Sequence, residues 1–132
     1  MFVDASAIIA ILTAEPEADH LANRLDAAER RLTSSIAIFE ATLGLTRKHA
    51  LGVAEAKSII QAFLHEAGIH ITPITEQHGD VALDAFARYG KGRGHPAQLN
   101  LGDCFAYACA RSHGVALLYK GMDFDQTDLA AP

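Results

Sequence analysis

Four acidic residues are spaced so that a small parallel-sheet protein would bring their side chains together. They are Asp4 after an apolar opening, Glu40 inside an apolar helical pattern, Asp103 at a helix start, and Asp123 after the last strand pattern. A carboxylate enclosed by hydrocarbon loses its hydration unless it gains a partner. Oxygen ligands without a cluster of histidines or cysteines favour a hard cation such as Mg²⁺ or Mn²⁺. The spacing therefore predicts a divalent-metal site suited to hydrolysing a phosphodiester, since such an ion activates water and neutralises phosphate charge.

Each acid also has an ordinary structural interpretation. Asp4 can cap the helix that follows it, and Asp103 can be a first-turn acid favoured by the helix dipole. Asp123 lies close to Gly121 and can be a turn residue. A solvated helix position suits Glu40 less well, because apolar residues surround it in the sequence. One shared site explains all four positions together.

Strand and helix patterns alternate along the chain, which indicates an α/β fold with a short central parallel sheet in a three-layer α/β/α arrangement. The patterns predict strands at 2–4, 31–34, 69–74 and 115–119, and helices at 6–13, from Pro16 to 28, 36–50, 53–67, 76–89 and 101–113. Gly52 is predicted to end the helix at 36–50. Ligand crevices in open parallel sheets lie beyond the carboxyl ends of the strands. All four acids are predicted to face that crevice.

Length and composition predict one domain over residues 1–132, with half of the residues hydrophobic and a net charge of -5. No leader-like segment and no run of about 18 apolar residues is present, so we expect a cytoplasmic protein without a membrane span. Cys104 and Cys109 are expected to be buried, reduced thiols. The acidic balance argues against a surface that coats nucleic acid as a whole. A local basic groove remains compatible with it.

Residues 90–100 form the one long loop, rich in glycine and positive charge. Lys91, Arg93 and His95 are predicted to hold nucleic-acid phosphates near the metal, although a solvated loop is the plain alternative. Ser6 and Asn100 are candidates to donate hydrogen bonds to the carboxylates or to metal-bound water. Helix capping explains Ser6 equally well. The remaining histidines show no metal-ligand spacing and are expected at the surface or at helix ends.

Four segments together resemble the PIN-domain ribonucleases, specifically the VapC toxins of type II toxin–antitoxin pairs. They are Val3-Asp4-Ala5-Ser6-Ala7, Phe39-Glu40, the run from Leu99 to Ala108, and the run from Leu117 to Phe124. The resemblance implies a PIN-like domain with Asp4, Glu40 and Asp103 as metal ligands, Asp123 as the fourth acid, and RNA cleaved with Mg²⁺ or Mn²⁺. Many relatives carry Asn where Met122 stands here, so Asp125 or Asp128 can share or replace the role of Asp123.

The resemblance also implies partners: a homodimer, and a cognate antitoxin that neutralises the toxin. The helices at 18–28 and 53–67 are rich in apolar residues, and their exposed part would be an interaction patch. Two other functions share parts of this pattern. A catalytically silent PIN-like binding module would keep the fold without turnover. A phospho-acceptor receiver domain would need an aspartate at the end of the middle strand, where Ile74-Thr75 stand instead.

Overall fold

The computed structural model describes residues 1–131. It has short strands β1 (Phe2–Val3), β2 (Leu32–Thr33), β3 (His70–Ile71) and β4 (Leu117–Leu118). The helices are α1 (Ala5–Leu12), α2 (Ala18–Asp26), α3 (Ser35–His49), α4 (Val53–Glu66), α5 (Glu76–Tyr89) and α6 (Leu101–His113), and a 3₁₀ helix covers Phe124–Gln126.

The strands form one parallel sheet in the order β3-β2-β1-β4. Val3 pairs with Leu118 and Phe2 with both Leu32 and Leu117, so β1 is central. All strands are parallel, and their carboxyl ends therefore meet at one edge. The segments that follow β1, β2 and β4 begin at this edge, which is where three of the predicted acids are carried.

The sheet separates two apolar cores because successive strand residues point to opposite faces. Phe2 and Leu117 pack with α5 and α6, whereas Val3 and Leu118 pack with α1, α2 and α4. α3 contributes to both clusters through Ala37 on one side and Ala41 and Leu45 on the other. This arrangement confirms the predicted three-layer α/β/α fold.

Several predicted boundaries were wrong, and local hydrogen bonding gives the reason. Each strand keeps only two residues, and beyond them single amides still pair across the sheet, as Asp4 does with the Leu118 carbonyl and Thr72 with the Thr33 carbonyl. Asp4 rather than Ser6 caps α1, because its backbone is extended and its carboxylate accepts the amide of Ser6. Gly52 does not end α3. Left-handed Ala50 does so at φ 52°, and Gly52 stands at the start of α4.

His78 lies at a helix end, as the sequence predicts, and among residues 1–131 it is the histidine that is buried. It is buried at the start of α5, where its Nδ1 accepts the amide of Thr75 and its own amide donates to the Thr75 hydroxyl. This reciprocal capping pair supplies partners for amides that the helix itself leaves unpaired. In the described chain, no helix combines the length and apolar character needed to cross a membrane.

Candidate active site

Asp4 lies at the junction of β1 and α1, and its side chain is almost completely buried at 4% exposure. Its Oδ2 accepts the amide of Ser6 at 3.0 Å and the hydroxyl of Ser6 at 2.5 Å. Burial raises the pKa of the Asp4 carboxyl, although the bonds from Ser6 oppose that shift. Asp4 can therefore cap α1 and also belong to the site, because one of its two carboxylate oxygens makes the capping bond.

Asp103 occupies the first turn of α6 in a capping box with Asn100. The Asn100 amide donates to Asp103 Oδ2 at 3.0 Å, and the Asn100 side-chain oxygen accepts the Asp103 amide at 2.9 Å. Asn100 thus contacts this carboxylate through its backbone, while its side chain caps the helix instead of donating to an acid. The pKa of Asp103 is raised to about 6, mainly by burial. The charges of Asp4 and Asp123 add to this rise, and the hydrogen bond from the Asn100 amide opposes it.

Glu40 reaches the same crevice from the second turn of α3, and its carboxylate packs against the backbone of Gly102. A Cβ at position 102 would overlap with that carboxylate. Burial, together with the charges of Asp4 and Asp103, raises the pKa of Glu40 to about 7. Sequence reasoning missed the role of Gly102. Its sequence signal was a glycine within the first turn of a helix. Helices disfavour glycine, so a glycine there suggests that another group approaches the backbone closely.

The three acids of the carboxyl-terminal segment have different surroundings. Asp125 accepts the hydroxyl of Tyr119 at 2.5 Å, and Asp128 accepts the hydroxyl of Tyr107 at 2.8 Å. Asp128 also pairs with Arg111. Asp123 is exposed, makes no side-chain cap to the 3₁₀ helix, and raises the pKa of both Asp4 and Asp103 through its charge. Of the three, Asp123 is therefore the acid that lies near the crevice.

The charge and chemistry of this set suit a hard divalent cation. Among residues 1–131, no salt bridge includes Asp4, Glu40, Asp103 or Asp123. Their carboxylates destabilise one another's ionised forms, and a bound cation relieves such repulsion. Within residues 1–131, no three His, Cys, Asp or Glu side chains form a group that could hold a metal ion as they stand. Mg²⁺ keeps several of its water ligands, so carboxylates can also hold it through bound water.

The predicted basic loop lies between α5 and α6 and is closed at its base by a bridge between Gly90 and Leu99. Lys91 and Arg93 are exposed, and the Arg93 guanidinium lies 6.0 Å from the ring centre of Phe86. His95 is half-buried, packs edge-on against Tyr89 at 4.9 Å, and accepts the Ala97 amide. Because α6 begins at the end of this loop, the loop adjoins Asp103. Its two cations are exposed, and the Nδ1 atom of His95 is bonded to the Ala97 amide.

Known proteins resemble this chain over nearly its whole length. The family model for the PIN domain matches residues 1–129. A VapC ribonuclease of Rhizobium meliloti (strain 1021) is 45% identical, over 97% of this chain and 98% of its own length. Ribonuclease VapC30 of Mycobacterium tuberculosis (strain H37Rv) is 36% identical, over 98% of this chain and 96% of its own.

A solved structure has the same fold. The crystal structure of Mycobacterium tuberculosis VapC20, described as a sarcin-ricin loop cleaving toxin, superposes with a TM-score of 0.72. Its sequence is 19% identical, and the match covers 94% of this chain and 92% of the other. At that identity the likeness concerns the fold alone.

Proposed function

Because this chain belongs to the PIN-domain family and groups there with the VapC ribonucleases, we propose that it is an endoribonuclease toxin dependent on Mg²⁺ or Mn²⁺. The observation that carries the proposal is the crevice where Asp4, Glu40 and Asp103 influence one another's pKa without a cationic side chain paired to them among residues 1–131. Residues 1–132 are proposed to act as one domain.

We assign the metal-ligand role to Asp4, Glu40 and Asp103, and place Asp123 as the fourth acid of the site. A bound divalent cation would lower the pKa of a water ligand and neutralise charge on the scissile phosphate. Ser6 holds the Asp4 carboxylate by two hydrogen bonds, and the Asn100 amide holds that of Asp103. Lys91 and Arg93 would bind the negative RNA backbone beside the acids, where phosphate contacts position the strand.

The test is cleavage of a single-stranded RNA by the purified chain with Mg²⁺, with Mn²⁺, and with a chelator. Asp103→Asn is the informative variant, because the amide oxygen can still accept the Asn100 amide while one negative charge is lost. We expect an intact fold and a loss of cleavage of at least a hundredfold. Asp84→Asn is the matched control, since Asp84 is exposed on α5, and we expect it to cleave like the unmodified chain.

Three outcomes separate the alternatives. Cleavage that survives the chelator would contradict metal dependence. Binding of RNA and Mn²⁺ without turnover would indicate a catalytically silent binding module. Mn²⁺ affinity unchanged in each of Asp4→Asn, Glu40→Gln and Asp103→Asn, measured by calorimetry, would show that the three acids do not share a site.

We further propose that the chain forms a homodimer and binds a cognate antitoxin, as its VapC relatives imply. An Arg or Lys of the antitoxin would make a charge-assisted contact with the crevice carboxylates. The predicted apolar patch needs correction, because Leu21 and Leu25 of α2 are buried and only Val53 and Ile59 of α4 are exposed. Larger exposed apolar side chains lie on other helices, namely Phe39 on α3, Leu83 and Phe86 on α5, and Leu101 on α6.

A further inference from the structure

The segment between Tyr119 and Phe124 carries Asp123, yet its own backbone does little to fix that residue. Tyr119 and Phe124 are buried and their rings lie 5.1 Å apart, which anchors both ends of the segment. Between them, Gly121 has φ 101° and Met122 is 73% exposed. The amides of residues 121–123 donate no hydrogen bond to another group within residues 1–131. Phe124 and the hydrogen bond from the Asp125 amide to the Met122 carbonyl hold Asp123 from one side, and the contacts of Lys120 hold the segment from the other.

Lys120 is held at two points. Its amide donates to Ser6 Oγ at 3.0 Å, and the Ser6 hydroxyl in turn donates to Asp4 Oδ2 at 2.5 Å. Its ammonium pairs with Glu15 and lies 3.6 Å from Glu17. Lys120 thus links Asp4, the buried acid that follows β1, to the turn between α1 and α2.

Glu15 is placed to hold an ammonium group firmly. It follows left-handed Ala14, and its side chain is only 13% exposed. One carboxylate oxygen contacts the ammonium of Lys120 and the other that of Lys48. Exposed ion pairs contribute little, but a carboxylate that is only 13% exposed is screened less by water and salt than one at the surface. Glu15 lies outside the acidic crevice, so the crevice chemistry itself does not require it.

From these contacts we propose that Glu15 and Lys120 form a clamp that fixes residues 119–123 and thereby sets Asp4 and Asp123 for divalent-cation binding. The clamp rests on the metal site of the proposed function. Both are positioning residues, acting on the cation through Ser6, Asp4 and Asp123. In this proposal Lys120 acts through its ion pair with Glu15 and through its own backbone amide. Its ammonium does not contact RNA.

The experiment titrates Mn²⁺ into the full, metal-free chain by calorimetry, for the unmodified protein and for Lys120→Met and Glu15→Gln. Loss of a group that orients metal ligands typically weakens affinity about 10- to 100-fold, so we expect a rise of roughly tenfold in the Kd for Mn²⁺. In cleavage assays the Mn²⁺ needed for half-maximal rate should rise similarly, with kcat retained at saturating Mn²⁺. Lys120→Arg should restore the affinity, because a guanidinium can pair with Glu15.

Lys48→Met is the matched control. It removes the other cation of Glu15 and the same unit of charge, but leaves Lys120 and Ser6 in place, so we expect less than a twofold change. An equal loss in Lys48→Met and Lys120→Met would overturn the clamp in favour of a general charge effect. Unchanged Mn²⁺ affinity in Lys120→Met would overturn it directly.

A second measurement separates positioning from RNA contact. Binding of a 2′-deoxy-substituted, uncleavable RNA in chelator should be the same for Lys120→Met and the unmodified chain. Weaker binding there, with normal Mn²⁺ affinity, would show that the ammonium contacts the nucleic acid and that the clamp is wrong. If the unmodified chain itself binds no Mn²⁺, the metal site falls and the clamp with it, which is distinct from a failure confined to the variants.

Discussion

Gly102 and Glu40 illustrate how a single residue controls a charged site. The carboxylate of Glu40 occupies the space that a side chain at position 102 would need. Alanine is favoured over glycine within a helix by about 0.8–1 kcal/mol, so a purely local argument would predict stabilisation on replacing Gly102. Here the contact matters for the site and not for stability, because the carboxylate needs that space in order to reach the other acids.

We therefore expect Gly102→Ala to keep or slightly raise thermal stability while weakening Mn²⁺ binding by about tenfold or more, in line with the cost of disturbing metal ligands. The end of a flexible glutamate can move aside more readily than the backbone, so displacement of Glu40 should replace unfolding. Calorimetric melting and Mn²⁺ titration measure the two effects separately. Gly79→Ala on α5 is the control, because a Cβ there meets no atom within 4 Å. A variant with undiminished Mn²⁺ affinity would contradict this account of Gly102.

The raised pKa values of the crevice acids predict the pH dependence of the metal-free protein. Burial and neighbouring carboxylates raise the pKa of Glu40 from 4.5 to about 7 and that of Asp103 from 3.8 to about 6. The folded state thus binds more protons than the unfolded state in this interval, so stability falls as pH rises through it.

Melting temperatures in chelator should therefore be higher near pH 5 than near pH 8, and Mg²⁺ should raise the value at pH 8. Asp103→Asn should flatten the dependence and melt higher than the unmodified chain at pH 8, because one repelling charge is gone. Asp84→Asn should leave it unchanged. A melting temperature that rises from pH 5 to pH 8 in all three proteins would contradict the assigned repulsion.

At the scale of elements, helix starts and loops carry the residues of the site. Asp4 caps α1 and Asp103 stands in the capping box of α6, so both acids lie at amino-terminal helix ends, where the dipole favours negative charge. The loop before α6 carries Lys91 and Arg93 and ends where α6 begins, just before Asp103 in the sequence. A bridge between Gly90 and Leu99 closes the base of that loop.

Arg93→Ala is expected to weaken RNA binding and to reduce the slope of log affinity against log salt by roughly one unit, because one counterion-releasing contact is lost. Filter binding over a salt series in chelator measures this slope. Arg47→Ala is the control, since Arg47 lies in the last turn of α3, at the end of that helix away from the acids. Equal slopes for Arg93→Ala and the unmodified chain would remove the loop from the RNA site.

At the scale of the whole molecule, the sheet order places β1 between β2 and β4, so segments distant in sequence share one edge. Helices cover both faces, but apolar surface remains. A cavity of about 310 Å³ between α5 and α6 is lined by Leu83, Phe86, Leu101 and Phe105. Contiguous exposed apolar surface of this kind marks interaction sites.

We expect light scattering to give twice the 14.1 kDa chain mass, and Leu83→Lys to shift the protein towards monomer. Leu83 is 68% exposed beside the cavity, so an added ammonium would lose hydration in the dimer without disturbing the isolated fold. Val53→Lys, at a position 60% exposed on α4, is the matched control and should remain dimeric. Pull-down with the product of the neighbouring upstream gene tests the antitoxin. A chain that stays monomeric and ignores that product would contradict both proposed partners.

The sequence by itself determined the fold class and the candidate acids, because alternating apolar periodicities are local and each acid has a recognisable neighbourhood. The bounds of α5 and α6 were predicted to the residue, since Thr75, Asn100 and Gly114 supply local stop and start signals. Strand lengths could not be predicted in this way, because pairing depends on neighbours that lie far along the chain.

Only the tertiary structure decided which late acid adjoins the crevice and what surrounds each carboxylate. Tyr107 and Tyr119 bind Asp128 and Asp125 across 21 and 6 residues of chain, contacts that no local pattern encodes. The contact between Glu40 and Gly102, and the link from Glu15 through Lys120 to Ser6, join residues that packing alone brings together. The sequence gives the type of each side chain directly. Burial and the proximity of charges set the pKa values and the metal affinity, and they arise only when the helices pack on both faces of the sheet.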